Sequence, residues 1–596
     1  NQGLAQVNVA SKYITAISEL PFVAYLNLSF LQPTVLNQRE RGLFGLTNLT
    51  SSEVAGRSLT GNGIVIGIGD DSNPLHLDNT NKVLNRNPSF ITNNHGRLVT
   101  GVVGGDGLIE ERYKGVAPNS LMIIDFFDYV LTKSATYFTD HGMTVTNNSY
   151  YLGLAGCPGN AVYNELSVYV DQQINSNPFL QHIFAAGNDG QRTCSPFPLA
   201  FGTIKSGYQV GKNVLDVADY NGATDAPTVT SSRGPVEDGR IKPEVSANGV
   251  AVFTTSGTNT YHDTYGTSFS APFVTGVWSL LTERYKQLHA NAIPKSALLK
   301  AIICNSSEDR GNAGPDYSYG FGLINPRKAV EAIENNRYFT GSLSTSGTTS
   351  QIITVPTGAR QLKVMLYWHD KEGSPLAAKA LVNDLDLKVT DGATTFEPWI
   401  LNPAPGSVNT PATRGIDRIN NIEQVTIDNP GTSVTINLSG FNIPNGPQEF
   451  FVTYEYLMDE IKLEHPYGGE RFAPGQEEVI KWNATDNSAG TFTLEYSIDD
   501  GANWIVINNN IAANQHRYRW IGVPNNPTNK GKVRVSRNGG GASATSPGNF
   551  TILAQPVLTA TVPCEGYVNL SWPAVASATD YEVLQLINSE FVSLGT

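Results

Sequence analysis

The segment that decides the fold is Ile64-Val65-Ile66-Gly67-Ile68-Gly69-Asp70. It is a short apolar run ending in a carboxylate, which is typical of a strand buried in a parallel sheet. Comparable runs follow, separated by stretches with helical periodicity, at Leu121–Phe126, Val145–Tyr150, His182–Ala186 and Val214–Ala218. From about Gly61 to Ala332 the sequence therefore predicts an α/β unit, a parallel sheet with helices on both faces.

Length and composition set limits on the rest of the chain. Its 596 residues are too many for one hydrophobic core, and 57 Gly and 33 Pro indicate many turns. The formal net charge is −13 and no Lys/Arg cluster occurs, which argues against nucleic acid as a partner. No apolar run approaches the roughly 18 to 20 residues that cross a bilayer, and no signal-peptide pattern opens the chain, so we expect a soluble, already processed form.

After Asn335 the helical periodicity gives way to alternating segments separated by Gly, Asn and Pro. This pattern predicts all-β modules at 338–457, 458–555 and 556–596. The last is too short for a complete β-sandwich. The α/β unit then occupies 41–337, and residues 1–40 form an N-terminal extension.

Ser268 is the first candidate for chemistry. It lies in the run Tyr265-Gly266-Thr267-Ser268-Phe269-Ser270-Ala271-Pro272, ahead of a stretch with helical spacing that extends to Leu288. A serine at a helix start meets the positive end of the dipole, and its N–H can point at a developing oxyanion. By itself such a serine is an ordinary helix cap. Acyl transfer also requires an imidazole, a carboxylate and a second oxyanion donor.

Candidates for these partners precede Ser268 in the chain. Asp70 ends the first strand, and catalytic groups favour the carboxyl ends of parallel strands, although Asp71 is an alternative carboxylate. His95 opens a segment of small residues that predicts a closely packed helix start. Asn188 closes the run Phe184–Gly190, where a side-chain amide can donate to an oxyanion. Taken singly, each is also compatible with a turn or surface position.

These four residues, in the order Asp, His, Asn, Ser, resemble the subtilisin-like serine peptidase family. Further matches are Lys114-Gly115-Val116-Ala117-Pro118, Asn147-Asn148-Ser149-Tyr150 and Ser231-Ser232-Arg233-Gly234-Pro235, and the resemblance covers about 55–330. It implies a secreted serine endopeptidase that acts on proteins or peptides. Asp70 would orient His95, His95 would act as general base and then acid, and Ser268 would attack. Asn188 and the Ser268 N–H would bind the oxyanion.

The resemblance also implies a substrate cleft. Its borders would be the segments Tyr150–Gly153 and Ala185–Gly187, with candidate substrate-binding residues Ser149, Tyr150, Ala185, Ala186 and Gly187. The first segment would pair with the substrate backbone as an added strand.

Some neighbours of the candidate residues depart from the family pattern. Arg97-Leu98 follow His95-Gly96 in place of Thr-His, Asp71-Ser72 replace Ser/Thr-Gly, and Asn248 stands where Pro is common. These departures motivate an alternative, a catalytically inactive surface adhesin or binding protein. Another serine acyl hydrolase is disfavoured, because the Gly-x-Ser-x-Gly elbow is absent around Ser268.

The four cysteines show no metal-type spacing. Cys157 and Cys194 lie in loops and form a candidate disulfide, with unpaired thiols as the alternative. Cys304 ends an apolar segment and is expected to be a buried thiol, while Cys564 lies in the last module.

The module at 338–457 resembles the jelly-roll domain of oxidatively stable alkaline proteases, which implies calcium sites. Asp370, Asp384 and Asp386 are the candidate ligands, with solvated turn residues as the alternative. The chemistry itself requires no cofactor. The module at 458–555 resembles Ig-like modules of secreted bacterial surface proteins, and 556–596 resembles the opening of a fibronectin type III domain. We therefore expect an extracellular location, with possible attachment to the cell surface or a secretion partner through these modules.

Residues Tyr13–Leu26 resemble the end of a subtilisin propeptide. A maturation site would then lie near Gln38–Arg41.

Overall fold

The structure is a computed structural model that describes residues 42–53, 56–71, 73–86, 94–152, 157, 161–257, 259–484, 490–540, 542–554, 556–564, 567–587 and 590–595. The strands of its first part are β1 (Val65–Asp70), β2 (Val83–Arg86), β3 (Leu121–Phe126), β4 (Met143–Asn148), β5 (Gln181–Ala185), β6 (Leu215–Asn221), β7 (Ala226–Pro227), β8 (Val245–Asn248), β9 (Val250–Ser256) and β10 (Thr260–Tyr265). The helices are α1 (Thr47–Thr50), α2 (His95–Gly104), α3 (Tyr129–Thr132), α4 (Ser134–His141), α5 (Glu165–Ser176), α6 (Thr267–Leu288), α7 (Ser296–Ser306) and α8 (Pro326–Glu334).

Eight of these strands form one sheet, in the order β2-β3-β1-β4-β5-β6-β7, and β8 also pairs with β6. All pairings are parallel except that between β6 and β7. The five predicted strands therefore lie side by side, and the carboxyl ends of β1, β4 and β5 meet at one edge of the sheet. Strands β9 and β10 form a separate antiparallel hairpin.

The two faces of the sheet are covered by different helices. Ile66 and Ile68 of β1 pack in one core with residues of α2, α6, α7 and α8, whereas Val65 packs on the other face with residues of α3 and α5. A Cβ on Gly67 would lie 2.5 Å from the sulfur of Met143, so the second face requires glycine there. The predicted α/β fold with helices on both faces is confirmed.

The second part of the chain is a sandwich of two four-stranded antiparallel sheets. Its strands are β11 (Tyr338–Leu343), β12 (Thr348–Thr354), β13 (Ala359–Tyr367), β14 (Asp384–Asp391), β15 (Thr394–Phe396), β16 (Trp399–Ile400), β17 (Thr413–Arg414), β18 (Ile422–Asp428), β19 (Ser433–Asn442) and β20 (Gln448–Met458). The sheets have the orders β11-β20-β13-β18 and β12-β19-β14-β15, and β16 pairs with β17.

Strand β13 is buried on both faces. Leu362, Val364 and Leu366 point into the core of the sandwich, while Met365 and Tyr367 join the core of the α/β part. This double burial explains why the strand reads as a nearly continuous apolar run rather than as an alternating one.

The rest of the chain is also all-β. The strands are β21 (Lys462–His465), β22 (Arg471–Phe472), β23 (Glu477–Asn483), β24 (Thr491–Ser497), β25 (Ile505–Ala512), β26 (Arg517–Ile521), β27 (Thr528–Arg537), β28 (Ser543–Thr545), β29 (Phe550–Ile552), β30 (Thr559–Cys564), β31 (Tyr567–Ser571), β32 (Val583–Ile587) and β33 (Glu590–Gly595). Strands β21 to β29 form a three-stranded and a six-stranded sheet around one core, and the last four form two antiparallel pairs. The module limits and the jelly-roll, Ig-like and fibronectin-like assignments stay predictions.

Buried ion pairs join the all-β modules to the α/β part. Lys212 pairs with Asp370 of the second module, and both side chains are fully buried. In the third module Lys481 lies 3.0 Å from Glu308, and Glu464 lies 2.7 Å from Arg327. The modules therefore pack directly against the α/β part.

Within the described residues, no helix has the length and apolar character needed to span a membrane. The predicted propeptide segment and maturation site, Ser72 and Gly153 lie outside the described residues.

Candidate active site

Asp70 and His95 meet at the carboxyl edge of the sheet. Asp70 is the last residue of β1 and His95 the first residue of α2, and the His95 Nδ1 lies 2.8 Å from an Asp70 carboxylate oxygen. Asp70 is 1% exposed, whereas the His95 side chain is 33% exposed. The carboxylate is thus fixed inside the protein while the imidazole is partly exposed, an arrangement that lets Asp70 orient the ring.

Asp71, the alternative carboxylate, has a different position. Its side chain accepts a hydrogen bond from the Gly96 N–H at 3.1 Å, at the start of α2. Asp70, Asp71 and His95 also form the single group of three His, Cys or carboxylate ligands close enough to hold a metal ion in the described part of the chain. In this group Asp70 binds His95, and Asp71 binds the first turn of the helix.

The two charges of this pair influence each other. Burial raises the pKa of the Asp70 carboxyl, and the nearby imidazole only partly offsets this. Burial lowers the pKa of His95, but the negative charge of Asp70 and its hydrogen bond outweigh it, so the pKa of His95 is raised above 6.5. The neutral imidazole that a general base requires is therefore formed at a higher pH than for a histidine in water.

Ser268 is the second residue of α6, and it is 8% exposed. Its N–H makes no hydrogen bond to another described residue, as expected in the first turn of a helix. Pro272 lacks the N–H that would otherwise bond to the Ser268 carbonyl, and the Ser149 hydroxyl donates to that carbonyl instead at 2.9 Å. The helix start is thereby tied to the end of β4.

The Ser268 hydroxyl itself donates to the Ser149 carbonyl at 3.4 Å. The imidazole is close by, because the His95 ring lies 5.6 Å from the ring of Phe269, the next residue along the chain. No hydrogen bond joins His95 to Ser268 among the described residues.

Asn188 lies beside the same helix start. Its side-chain oxygen accepts from both the N–H and the hydroxyl of Thr267, each at 3.0 Å. The amide nitrogen makes no hydrogen bond to another described residue, and Asn188 is exposed to solvent. Gly266 has φ +121°, and a Cβ there would lie 3.3 Å from the Asn188 amide, so glycine is needed for both backbone and packing.

The candidate substrate-binding residues lie at the same edge of the sheet. Ser149 contacts Ser268 as described above, and Tyr150 follows it out of β4. On the β5 side the Ala186 N–H donates to the Val217 carbonyl at 3.0 Å, and the Gly187 N–H donates to the Thr267 hydroxyl at 3.3 Å. These two amides are used within the fold, and Ala185, Ala186 and Gly187 are buried.

Comparison with known proteins shows what this part of the chain is similar to. Residues 61–322 match the sequence model of the subtilase family, Peptidase S8. This part of the chain, hereafter the subtilase domain, is similar to that family. The match includes Asp70, His95, Asn188 and Ser268, the four residues that the structure brings to one edge of the sheet.

Curated relatives show the same likeness at low identity. Subtilisin DY of Bacillus licheniformis is 25% identical over 310 residues, which cover 48% of this chain and 98% of the relative. The C5a peptidase of Streptococcus pyogenes serotype M1 is 26% identical over 193 residues, covering 30% of this chain and 16% of the relative. The "Serine protease/ABC transporter B family protein tagA" of Dictyostelium discoideum is 24% identical over 314 residues, covering 46% and 18%. The chain thus spans less than a fifth of the length of these last two relatives.

Among solved structures, the protease domain of PatA is 18% identical with a TM-score of 0.37, and the match covers 47% of this chain and 98% of that chain. The prenylagaramide maturation protease PagA is 20% identical with a TM-score of 0.36, covering 46% and 93%.

The three predicted calcium ligands each have a partner within the protein. Asp370 pairs with Lys212 and accepts from the N–H groups of Val382 and Asn383, both at 2.8 Å. Asp384 and Asp386 instead converge on the guanidinium of Arg418. The three carboxylates are separated because Asp370 faces the subtilase domain, and cationic side chains already neutralise each of them.

Cys157 and Cys194 are joined by a disulfide with an S–S distance of 2.11 Å. Cys304 is a buried cysteine of α7, and burial raises the pKa of its thiol.

Three residues that shape the site were not among the sequence candidates. Thr267 holds both Asn188 and Gly187, Pro272 redirects the Ser268 carbonyl, and Asp219 of β6 contacts the Ser270 hydroxyl, two residues after Ser268. Pro272 inside an otherwise helical pattern was a readable signal, because it leaves one carbonyl without its usual partner. Asp219 gave no such signal, since its neighbours come from distant segments.

Proposed function

We propose that the chain is a secreted serine endopeptidase in which Ser268 attacks the carbonyl of a peptide bond. The observation that carries the proposal is the hydrogen bond between His95 and Asp70, next to a serine at a helix start and an exposed Asn188. Nucleophile, base, orienting carboxylate and oxyanion donors are the groups that acyl transfer requires.

The first half of the reaction forms an acyl-enzyme. The Ser268 hydroxyl turns from the Ser149 carbonyl to His95, the neutral imidazole takes its proton, and a bond forms between the serine oxygen and the substrate carbon. The carbonyl electrons move to the oxygen, where the Ser268 N–H and the Asn188 amide donate to the oxyanion. The imidazolium then gives its proton to the leaving amine as the C–N bond breaks.

The second half releases the acyl group. Water takes the place of the amine, His95 removes a proton from it, and the hydroxide oxygen bonds to the acyl carbon. The imidazolium returns the proton to Ser268 as the ester bond breaks, which restores the free enzyme. Asp70 stays ionised throughout and stabilises the imidazolium.

Substrate binding is proposed to use the chain that leaves β4 at Ser149 and Tyr150. This segment is the carboxyl end of an inner strand, next to Ser268, so an extended peptide can lie beside it. Ala185, Ala186 and Gly187 would form the opposite border. Extended protein or peptide substrates suit such a cleft.

Secretion is supported by the disulfide between Cys157 and Cys194, because such bonds persist in oxidising compartments. We further propose that the all-β modules mediate attachment to a surface or partner. Structural calcium also stays a proposal, with Asp370, Asp384 and Asp386 as the candidate ligands. A melting curve with and without EDTA tests it, and an unchanged melting temperature would contradict it.

The activity is tested with a fluorophosphonate probe and with casein as substrate. We expect labelling at Ser268 and casein cleavage in the wild type, and loss of both in Ser268→Ala. Ser279→Ala, a buried serine farther along α6, is the matched control and should keep both. A folded wild type that neither labels nor cleaves casein would overturn the proposal and favour an inactive surface-binding protein.

A further inference from the structure

The chains that leave β4 and β5 are bridged by one buried side chain, that of Gln209. Its amide nitrogen donates to the Tyr150 carbonyl at 2.8 Å and to the Ala185 carbonyl at 3.5 Å. Tyr150 and Ala185 belong to the two proposed borders of the substrate cleft, and Gln209 is 1% exposed. One side chain in the protein interior therefore contacts both borders.

The bridge lies where the pairing between β4 and β5 ends. Asn148 and Phe184 are the last paired residues of these two strands. Beyond this pair the two chains leave their common ladder, so their carbonyls need other donors. Gln209 supplies a donor to Tyr150 and to Ala185. The side-chain amide thus extends the link between the two chains past the end of their pairing.

The direction of the Gln209 amide is fixed by its partners. Both are backbone carbonyls, which can only accept, so the nitrogen and not the oxygen must face them. The amide oxygen is buried and has no hydrogen-bond partner among the described residues. A buried acceptor without a partner lowers stability. The two bonds of the nitrogen are therefore the contribution that accounts for a glutamine at this position.

The backbone that carries Gln209 is held on both sides. It is the middle residue of a 3₁₀ turn that runs from Tyr208 to Val210. The Tyr208 ring stacks on the ring of Phe184, with centroids 5.7 Å apart, and buried Arg240 donates to the Val210 carbonyl at 2.9 Å. Gln209 thus projects from a fixed turn toward the two borders.

We propose that Gln209 is a positioning residue of the peptidase, and that its amide sets the separation of the two borders between which the substrate lies. The inference rests on the proposed peptidase activity and on the proposed cleft. It assigns to Gln209 an action through the backbone of Tyr150 and Ala185, rather than on the substrate itself.

The expected signature of this role is weaker substrate binding with an intact nucleophile. Without the amide, two carbonyls lose a donor, and the borders are free to move relative to each other. An extended peptide contacts both borders before and during the reaction, so KM should rise while kcat changes little. A fluorophosphonate probe has no peptide to lie between the borders, and its reaction reports Ser268 itself.

The experiment compares Gln209→Met with the wild type on a fluorescent peptide built around a casein bond that the wild type cleaves. Methionine keeps the length of the side chain and removes the amide. We expect KM to rise by about tenfold, with kcat and the rate of fluorophosphonate labelling within about threefold of the wild type.

Gln181→Met is the matched control. Gln181 is the first residue of β5, at the opposite end of the strand from Ala185, and it is fully buried. Its amide also donates to two carbonyls, those of His182 and Asn213, at 3.0 Å each. Gln181→Met removes the same kind of bonds at the other end of the strand. It should lower the melting temperature, as Gln209→Met does, and leave KM unchanged.

Three outcomes would overturn the inference. The first is a folded Gln209→Met protein with KM within about twofold of the wild type. The second is an equal rise of KM in Gln181→Met. The third is a labelling rate that falls as far as KM rises. Absence of labelling in the wild type contradicts the proposed peptidase activity instead.

If circular dichroism shows that Gln209→Met does not fold, Gln209→Glu decides, because it keeps the shape of the side chain. Its carboxyl donates when protonated at pH 6 and only accepts when ionised at pH 10. The ratio of its KM to that of the wild type should therefore be larger at pH 10. An equal ratio at the two pH values overturns the inference.

Discussion

Replacement of Lys212 by methionine should loosen the junction between the subtilase domain and the second module. The Lys212 ammonium and the Asp370 carboxylate are both fully buried, and the ammonium also donates to the Ala380 carbonyl at 2.8 Å. Lys212→Met keeps most of the side-chain volume and removes the charge. It leaves a buried carboxylate without its cation.

The expected loss of stability depends on the hydrogen bonds that Asp370 keeps in the variant. Loss of one partner of a buried ion pair costs about 3–5 kcal/mol. Asp370 still accepts from the N–H groups of Val382 and Asn383, so we expect the free energy of unfolding to fall by about 3 kcal/mol at pH 8. Asp370→Asn in the same protein should recover part of this loss, because it removes the unpaired charge.

The loss should shrink at low pH. Burial raises the pKa of Asp370, and Lys212 partly lowers it again, so removal of Lys212 raises the pKa further. An acid whose pKa is higher in the folded than in the unfolded protein stabilises the fold as it takes up a proton. Between the folded-state pKa values of wild type and variant, the difference in stability falls by about 1.4 kcal/mol per pH unit.

The assay is urea unfolding in a Ser268→Ala background, which prevents self-digestion. Tryptophan fluorescence reports both cores, because Trp278 lies in the subtilase domain and Trp368 in the second module. Lys371→Met, at a half-exposed lysine nearby, is the control and should change stability by less than about 0.5 kcal/mol. A Lys212→Met protein within 1 kcal/mol of its background, or an equal loss at pH 5 and pH 8, would refute the reasoning.

Three further predictions concern the site and the disulfide. Asn188→Ala should lower kcat by about 100- to 1000-fold with little change in KM. Asn188→Asp keeps the acceptor oxygen and loses the N–H donor, so it should lower kcat equally. A near-normal kcat in the aspartate variant would contradict an oxyanion role for Asn188. Asp70→Asn should lower kcat by about 10⁴-fold. It should also move the rising limb of the pH profile to lower pH, because the negative charge that raises the pKa of His95 is removed. An unmoved limb in kcat/KM measurements would count against the pairing of Asp70 with His95. Cys157→Ser should lower the free energy of unfolding by about 2–4 kcal/mol in the Ser268→Ala background, because the disulfide to Cys194 closes a loop with a separation of 37 residues. Equal stability of oxidised and reduced protein would exclude a stabilising role for the disulfide.

Much of the fold was predictable because its signals are local. Apolar runs such as Ile64–Gly69 and Leu121–Phe126 predicted strands, and β1 and β3 occupy those positions to within one residue. Asp70 and Asn188 each follow a predicted strand, and parallel strands place their carboxyl ends at one edge. The chain order of these two residues with His95 and Ser268 then carried the family resemblance.

Local sequence signals could not separate Asp70 from Asp71 as the partner of His95. The two carboxylates are adjacent in the chain, and only the direction of each side chain separates the one that binds His95 from the one that caps α2. The predicted calcium ligands show the same limit. Nothing near Asp370 in the sequence indicates that Lys212, 158 residues earlier, lies against it.

By itself the sequence determined the α/β fold, the all-β character of the later part and the four residues of the candidate site. These features depend on strand periodicity and on the order of motifs, which are properties of the linear sequence. The tertiary structure alone decided the state of each buried charge. Lys212 reaches Asp370, Arg418 lies between Asp384 and Asp386, and Asp219 meets the Ser270 hydroxyl only after distant segments have packed. The environment of a buried charge depends on contacts between residues that are far apart in the chain, and no sequence pattern indicates those contacts.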